Sequence, residues 1–477
     1  MANPPPSKHV VYFEVLEALQ DQGCPVCRLG LRAVSRYLDA LSYEGINDPG
    51  SRAELRAARG FCHWHAWQFV EEVRDGLGTA IIYRDVIGEV LRILPEVGAC
   101  GARRQAAARS PLRTKHRSLV ALASRLAPQR ECPACHCLAE SSRRYLDTLL
   151  DHLRDGGFRN QYLASDGLCL PHLVIGLRRA STGRQRDFLA QAFARRLAPS
   201  GAGLAPGPSL DGIAIVEAMV GKEGATQLGR PANPPTGRTG GVLGREALGS
   251  EHDADEEGCP VCRSVAPAID RWLAQAADES AAADAQQSNS SPAASLCNAH
   301  LWRLLHVAGT RGTAGFLQPQ ALAVADLLQP QARQADYSVG WRWLLAPLRP
   351  LKRGEAAAGV TATIERGRCP ACEAQAAMER QATLAVFKAM QHNPGAAELR
   401  AAPQLCLPHF ALALSMSGDW EQAEILAAGQ VEALEALRWD LAEYIRKQDY
   451  RFRHEPLGTE VDAPWRAIAQ VAGAQRP

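Results

Sequence analysis

Twelve of the fourteen cysteines in this chain fall into one pattern that occurs four times. Each copy has a Cys-Pro-x-Cys pair, followed 37 or 38 residues after its first cysteine by a Cys-x-x-His pair. Repetition at so regular an interval indicates a chain built from equivalent units. Copy by copy, the sixteen motif residues are Cys24, Cys27, Cys62 and His65; Cys132, Cys135, Cys169 and His172; Cys259, Cys262, Cys297 and His300; and Cys369, Cys372, Cys406 and His409.

Three cysteines and one histidine form a ligand set suited to one tetrahedral zinc ion. We expect the two pairs of each copy to converge, closing a loop of about 40 residues in the manner of small zinc modules, with up to four zinc ions per chain. In the first copy, the register of the other copies selects His65 over His63. Four protein ligands leave no position for substrate, which favours structural over catalytic zinc.

Two other interpretations of the motifs stay open. Iron–sulfur clusters are also held mainly by thiolates, so such a cluster is an alternative to zinc. Buried cysteines and core histidines without a metal are the simplest alternative, but four copies with matched spacing argue against it.

The pattern of apolar residues predicts an all-α protein. After Cys27, apolar side chains recur at Leu31, Val34, Leu38 and Leu41, the spacing of an amphipathic helix. Proline directly after the first cysteine suits the first position of a helix. Thirteen residues after that cysteine, three copies carry an aromatic residue that we expect to face the core, namely Tyr37, Tyr145 and Trp272.

Composition divides the chain into two tandem helical halves of two copies each. Residues 199–250 contain twelve glycines and six prolines, which is typical of a linker. We therefore predict an N-terminal half at 1–198, an unpacked linker at 199–250 and a C-terminal half at 251–477. The linker should uncouple the two halves. The third copy contains a low-complexity stretch at 281–292, so we expect its site to be the least secure.

The remaining candidate residues give weaker signals. Cys100, Cys137 and His136 lie outside the pattern, and Cys137 is interpreted as a small buried residue. The group Arg178, Arg179, Arg184, Arg186, Arg195 and Arg196 is interpreted as a solvated helix face. The segment 444–456 mixes aromatic and cationic residues, and it suits either an anion or partner site or a helix end that folds back on its own half.

No motif of a known catalytic class accompanies the cysteine pattern: the chain has no nucleophile elbow, phosphate-binding loop or dinucleotide-binding turn. Its 53 basic and 51 acidic residues nearly balance, which disfavours a nucleic-acid partner. The sequence begins without a signal-peptide pattern and has no membrane-length apolar run. We therefore expect a cytoplasmic protein whose thiols are reduced.

The motifs together resemble those of an uncharacterised bacterial family that is known only as a domain of unknown function. The resemblance includes the stretches 36–39, 60–67 and 450–456 and covers most of both halves, but not the predicted linker. It supports the interpretation as repeats and implies no activity. The leading hypothesis is a non-enzymatic, zinc-stabilised helical repeat protein that acts as an interaction scaffold or adaptor for a protein partner, with no membrane contact. The alternatives are a redox or sensor protein and a nucleic-acid-associated regulator.

Overall fold

A computed structural model describes residues 9–94, 112–197, 212–225, 258–282, 296–336, 369–392 and 404–474. The described residues form α-helices joined by short turns and contain no β-strand, which confirms the predicted all-α class. None of the described helices is both long enough and apolar enough to cross a membrane.

Seventeen α-helices are described, eleven before residue 226 and six after residue 257. The first eleven are α1 Val10–Ala18, α2 Pro25–Ala40, α3 Pro49–Ala57, α4 His63–Gln68, α5 Gly76–Ile93, α6 Leu112–Leu126, α7 Pro133–His152, α8 Gly156–Ala164, α9 Leu170–Arg179, α10 Gly183–Leu197 and α11 Gly212–Val220. The other six are α12 Pro260–Ala282, α13 Asn298–Asp336, α14 Pro370–His392, α15 Leu407–Met416, α16 Trp420–Lys447 and α17 Ala463–Ala472. Helices α2 and α4 each continue as one π-helical turn, and α13 is interrupted at Gly309 by non-helical backbone angles.

All eight cysteine motifs lie at helix N-termini. In each, the backbone carbonyl of the first cysteine accepts a hydrogen bond from the N–H group four residues later, as in Arg28 to Cys24 at 3.2 Å and Ala66 to Cys62 at 2.9 Å. The proline of each Cys-Pro-x-Cys motif is the first helical residue, where its missing N–H group costs no hydrogen bond. The motifs therefore start helices, as the sequence predicts, and their thiols lie at the positive ends of the helix dipoles.

In the helices that follow Cys-Pro-x-Cys, the aromatic residue is not in every copy the side chain that packs into the core. Of those three, only Tyr145 is fully buried, whereas Tyr37 and Trp272 are half-buried. The leucine that follows is fully buried in all three copies, at Leu38, Leu146 and Leu273. The leucine therefore packs into the core in all three copies, and the rings of Tyr37 and Trp272 lie at the edge of the core.

The described residues form two compact units, each built from segments of both halves of the chain. The first unit combines the described residues of Met1–Ala33, Cys137–Pro234 and Asp270–Ala374. The second combines those of Val34–His136, Pro235–Ile269 and Gln375–Pro477. In the first unit, α10 and α11 pack against α13. In the second, α5 packs against α16 and α17, and α6 packs against α15.

This arrangement corrects two expectations about the middle of the chain. Residues 212–220, which lie inside the predicted linker, form α11, and their side chains Val216 and Met219 are buried. The other residues between 199 and 250, apart from 221–225, lie outside the described residues, and the domain boundaries stay a prediction. The expected independence of the two halves is wrong, because helices of both halves share each unit.

Candidate metal centres

The sixteen motif residues come together in four clusters, but each cluster joins two different copies of the pattern. The Cys-Pro-x-Cys pair of one copy meets the Cys-x-x-His pair of its neighbour, and the exchange is mutual. The expectation that both pairs of one copy converge is therefore wrong. The first to fourth clusters are Cys24, Cys27, Cys169 and His172; Cys62, His65, Cys132 and Cys135; Cys259, Cys262, Cys406 and His409; and Cys297, His300, Cys369 and Cys372.

Each cluster lies within one compact unit and within one half of the chain. The first and fourth clusters lie in the first unit, and the second and third lie in the second unit. The crossed pairing recurs at similar sequence separations, 148 residues from Cys24 to His172 and 150 residues from Cys259 to His409. The two halves are therefore built in the same way.

The first cluster has the dimensions of a tetrahedral zinc site. The Sγ atoms of Cys27 and Cys169 lie 3.6 Å apart, and Nδ1 of His172 lies 3.5, 3.4 and 3.3 Å from the sulfurs of Cys24, Cys27 and Cys169. A tetrahedron with zinc–sulfur bonds of about 2.3 Å and a zinc–nitrogen bond of about 2.0 Å has sulfur–sulfur edges of about 3.8 Å and sulfur–nitrogen edges of about 3.5 Å. The four ligand atoms therefore fit around one ion of this size.

The other three clusters repeat these dimensions. Their recorded sulfur–sulfur distances are 3.6 Å in the second cluster and 3.7 Å in the third and fourth. Their sulfur–nitrogen distances run from 3.1 to 3.6 Å, again to Nδ1 of each histidine. Within each cluster all ligand atoms lie within 4.8 Å of one another. The third copy, expected to be the least secure, supplies residues to two clusters with the same geometry as the rest.

None of these contacts is a disulfide. The sulfur–sulfur distances exceed the bond length of about 2.05 Å by more than 1.5 Å, and the thirteen described cysteines are free thiols. Fifteen of the sixteen motif residues are buried, and Cys62 is partly exposed. Four soft or borderline ligands around one buried point are the ligand set that zinc prefers.

In the second cluster, the pKa values of two thiols are shifted in opposite directions. Hydrogen bonds from Cys132 and Cys135 lower the pKa of Cys62 well below its usual value, against the opposing effect of burial. The same hydrogen bonds with Cys132 and Cys62 raise the pKa of Cys135. Burial disfavours a charged His65, but the neighbouring Cys62 and Cys132 raise its pKa to about 10. A divalent cation bound here would displace the protons of Cys135 and His65, because metal ligands bind deprotonated.

In each of the other three clusters, the pKa of one thiol is likewise lowered. Hydrogen bonds from the partner cysteines lower the pKa of Cys259 and Cys297. Burial raises the pKa of Cys24, but hydrogen bonds from Cys169 and Cys27 outweigh it and lower the value. Each cluster is thus an electron-rich site whose remaining protons a cation can replace.

A buried carboxylate lies behind the histidine of the third cluster. Oε1 of Glu379 lies 3.7 Å from Nε2 of His409, and Nε2 of Gln375 donates to the same oxygen at 2.9 Å. Metal-bound histidines commonly direct their second nitrogen to such a carboxylate, which fixes the ring orientation. The equivalent positions in the other copies are Val34, Ser142 and Ile269, so the repeat pattern could not have revealed Glu379.

The candidates outside the pattern lie apart from the clusters. Nδ1 of His63 lies 2.9 Å from the carbonyl oxygen of Ala472, and His136 is exposed. The thiol of Cys137 is half-buried next to Ala33, and burial raises its pKa. Cys100 lies outside the described residues.

The cationic side chains of the segment 444–456 are largely paired within the second unit. Arg446 forms ion pairs with Glu443 and Glu455, and Lys447 forms one with Glu460 at 2.7 Å. The pairing favours the interpretation as a helix end that folds back. In the group expected to form a solvated helix face, Arg179 is paired with Asp147, and Arg186 and Arg196 donate to backbone carbonyls.

A family model described as "Family of unknown function (DUF6062)" matches residues 7–198 and 247–476 of the chain. The chain is also similar to a protein of Caldicellulosiruptor sp. (strain Rt8B.4) described as "Uncharacterized 23.9 kDa protein in xynA 3'region", with 36% identity over 73 residues. That match covers 15% of this chain and about a third of the relative, 35% of its length. No solved structure is significantly similar to the chain.

Proposed function

The chain belongs to this family of unknown function, and we propose that it is a zinc-stabilised interaction scaffold that binds one structural zinc ion in each cluster. The sixteen residues named for the four clusters are the proposed ligands. We further propose that the protein works in the cytoplasm and that its partner is another protein.

The observation that carries the zinc proposal is the closed shape of each cluster. Three sulfurs and one nitrogen surround a single point in each cluster, with the recorded distances close to the edge lengths of a zinc tetrahedron and all four atoms within 4.8 Å of one another. A catalytic zinc keeps one position for water or substrate, and here four protein atoms fill the shell. Zinc in this setting holds helix N-termini together and performs no reaction.

Exposed aromatic side chains support the scaffold part of the proposal. Tyr43, Trp439 and Tyr450 in the second unit are 89%, 69% and 84% exposed. Aromatic residues dominate the energetics of protein–protein interfaces, and a solvent-exposed tryptophan is a common anchor in them. These three side chains are the first to test by substitution against a candidate partner.

Two alternative functions make different demands on the protein. An iron–sulfur centre distributes its ligands over two or more iron atoms, whereas the ligand atoms of each cluster surround one point. A nucleic-acid-binding regulator needs an excess of cations, and the formal charge of the whole chain is only +2. Both observations favour the zinc scaffold.

We expect the protein purified without oxygen to contain about four zinc atoms and no iron per chain, because each of the four clusters can hold one ion. Elemental analysis by mass spectrometry, with the protein concentration from amino-acid analysis, measures this ratio. A brown protein that absorbs near 400 nm and contains iron and sulfide would instead support the redox alternative.

We expect Glu379→Gln to accelerate zinc loss from the third cluster alone. Removing the carboxylate behind a metal-bound histidine typically lowers metal affinity by about 10–100-fold. The measurement is the time course of zinc transfer to a coloured chelator, in which one of four equivalents should leave about tenfold faster. Glu373→Gln is the matched control, since Glu373 is exposed on the same helix. Equal time courses for the two variants would exclude a role for Glu379 in holding the metal.

A further inference from the structure

The two halves of the chain pack against each other within both units, and in each unit the last described helix of one half packs on a helix of the other half. The first half comprises the described residues of the range 9–225, and the second comprises those of the range 258–474. Helix α11 of the first half packs on α13 of the second half, within the first unit. Helix α17 of the second half packs on α5 of the first half, within the second unit.

Helices α11 and α17 end in the same way. A glycine with a positive φ follows each, Gly221 at 79° and Gly473 at 95°. Their carbonyl oxygens accept hydrogen bonds from the indole N–H groups of Trp302 at 3.0 Å and Trp67 at 3.2 Å. Each tryptophan lies two residues after a cluster histidine.

A second polar contact repeats beside the tryptophans. Asn298 follows the cysteine Cys297 directly, and its side-chain amide donates to the carbonyl of Val220 at 2.9 Å. His63 follows Cys62 in the same way, and its Nδ1 lies 2.9 Å from the carbonyl of Ala472. The two contacts have the same length, and each reaches the carbonyl of the residue before the glycine, although the residue types differ.

The packing between the halves is apolar and close. Val216 on α11 and Ile468 on α17 are fully buried. A Cβ atom added to Gly212 would lie 2.5 Å from the backbone oxygen of Thr310, so these backbones are in direct contact. Separating the halves would expose these faces to water, as at the interface of an obligate dimer.

We propose that the two halves are obligate partners, each completing the other as the two subunits of a homodimer would, and that they need no covalent connection to stay together. Each cluster takes its four ligands from one half, so this association is distinct from metal binding and does not rest on the proposed function. The chemistry of the docking surface is an apolar helix face next to an indole N–H donor.

The test uses the full chain with a specific protease site inserted between Gly240 and Gly241 and an affinity tag at the C-terminus. After cleavage, we expect capture of the tag to retain both fragments in a 1:1 ratio. We also expect the cleaved protein to elute at the mass of the intact 51.5 kDa chain. Recovery of the first fragment in the flow-through in native buffer would overturn the proposal.

Two variants connect that result to helix α17. Ile468→Asp places a charge in the buried contact and should raise the released fraction of the first fragment at least about tenfold after dilution. Trp67→Phe keeps the ring and removes the indole N–H group, so it should raise the released fraction less. Trp439→Asp, at an exposed position of the neighbouring helix α16, is the control and should leave retention unchanged. Release by Trp439→Asp equal to that by Ile468→Asp would show that α17 does not hold the halves together.

Discussion

Removing zinc with a strong chelator is expected to unfold both compact units. Each unit contains two clusters, and every cluster brings together the N-termini of two helices that are far apart in sequence. In small zinc modules, zinc binding contributes an apparent free energy of about 10 kcal/mol to folding. This is comparable to the total free energy of unfolding of a typical domain, about 5–15 kcal/mol. The melting temperature should therefore fall by at least about 20 °C, given about 2–4 °C per kcal/mol in domains of this size.

The measurement is a thermal melt followed by far-ultraviolet circular dichroism, with and without the chelator. Two cysteines on α7 provide matched single variants. Cys135→Ser should lower the zinc content by one equivalent and destabilise the second unit, because Cys135 lies in the second cluster. Cys137→Ser, two residues further on, should change neither quantity. An unchanged melting curve after complete metal removal would contradict structural zinc and indicate an exchangeable, functional metal.

The sequence contained enough to predict the helices and the residues of the clusters. A proline after a cysteine and the helical spacing of the apolar residues that follow are local features of the sequence. They indicate where a helix begins without any knowledge of long-range contacts. Helix α11 was missed because its apolar residues lie in a segment rich in glycine and proline, where composition suggested a linker. The short apolar run 212–220 was the signal that could have identified it.

The pairing of the motifs could not be predicted from the spacing. Pairing within one copy closes a loop of about 40 residues, whereas Cys27 and Cys169 are separated by 142 residues. Fourfold longer loops cost only about 1 kcal/mol more in closure entropy, which is small beside the free energy of metal binding. Loop length therefore does not decide between the two pairings.

Helix length offers a physical reason for the crossed arrangement. Helix α2 has 16 residues and is about 24 Å long, and a π-helical turn follows it. Helix α3, with 9 residues, is only about 14 Å long. Helix α7 of 20 residues and α8 of 9 residues repeat the imbalance in the second copy. The unequal helix lengths accord with the placement of the Cys-x-x-His pair of each of these two copies in the cluster of the neighbouring copy.

Pairs of cysteine variants are expected to distinguish crossed pairing from pairing within a copy by zinc stoichiometry alone. Cys62 and Cys132 lie in the same cluster although they belong to different copies. The double variant Cys62→Ser/Cys132→Ser should therefore lose one of four zinc equivalents. Cys24 and Cys62 belong to the same copy but lie in different clusters, so Cys24→Ser/Cys62→Ser should lose two.

Pairing within each copy requires the opposite result, two equivalents lost by the first double variant and one by the second. Each double variant removes two thiols from the first half, so a general loss of stability from missing cysteines would affect both alike. Their difference reports only which cysteines share an ion. Zinc content measured on folded material from size-exclusion chromatography gives the two numbers. A reversed order would show that each copy closes on itself and would contradict the crossed clusters.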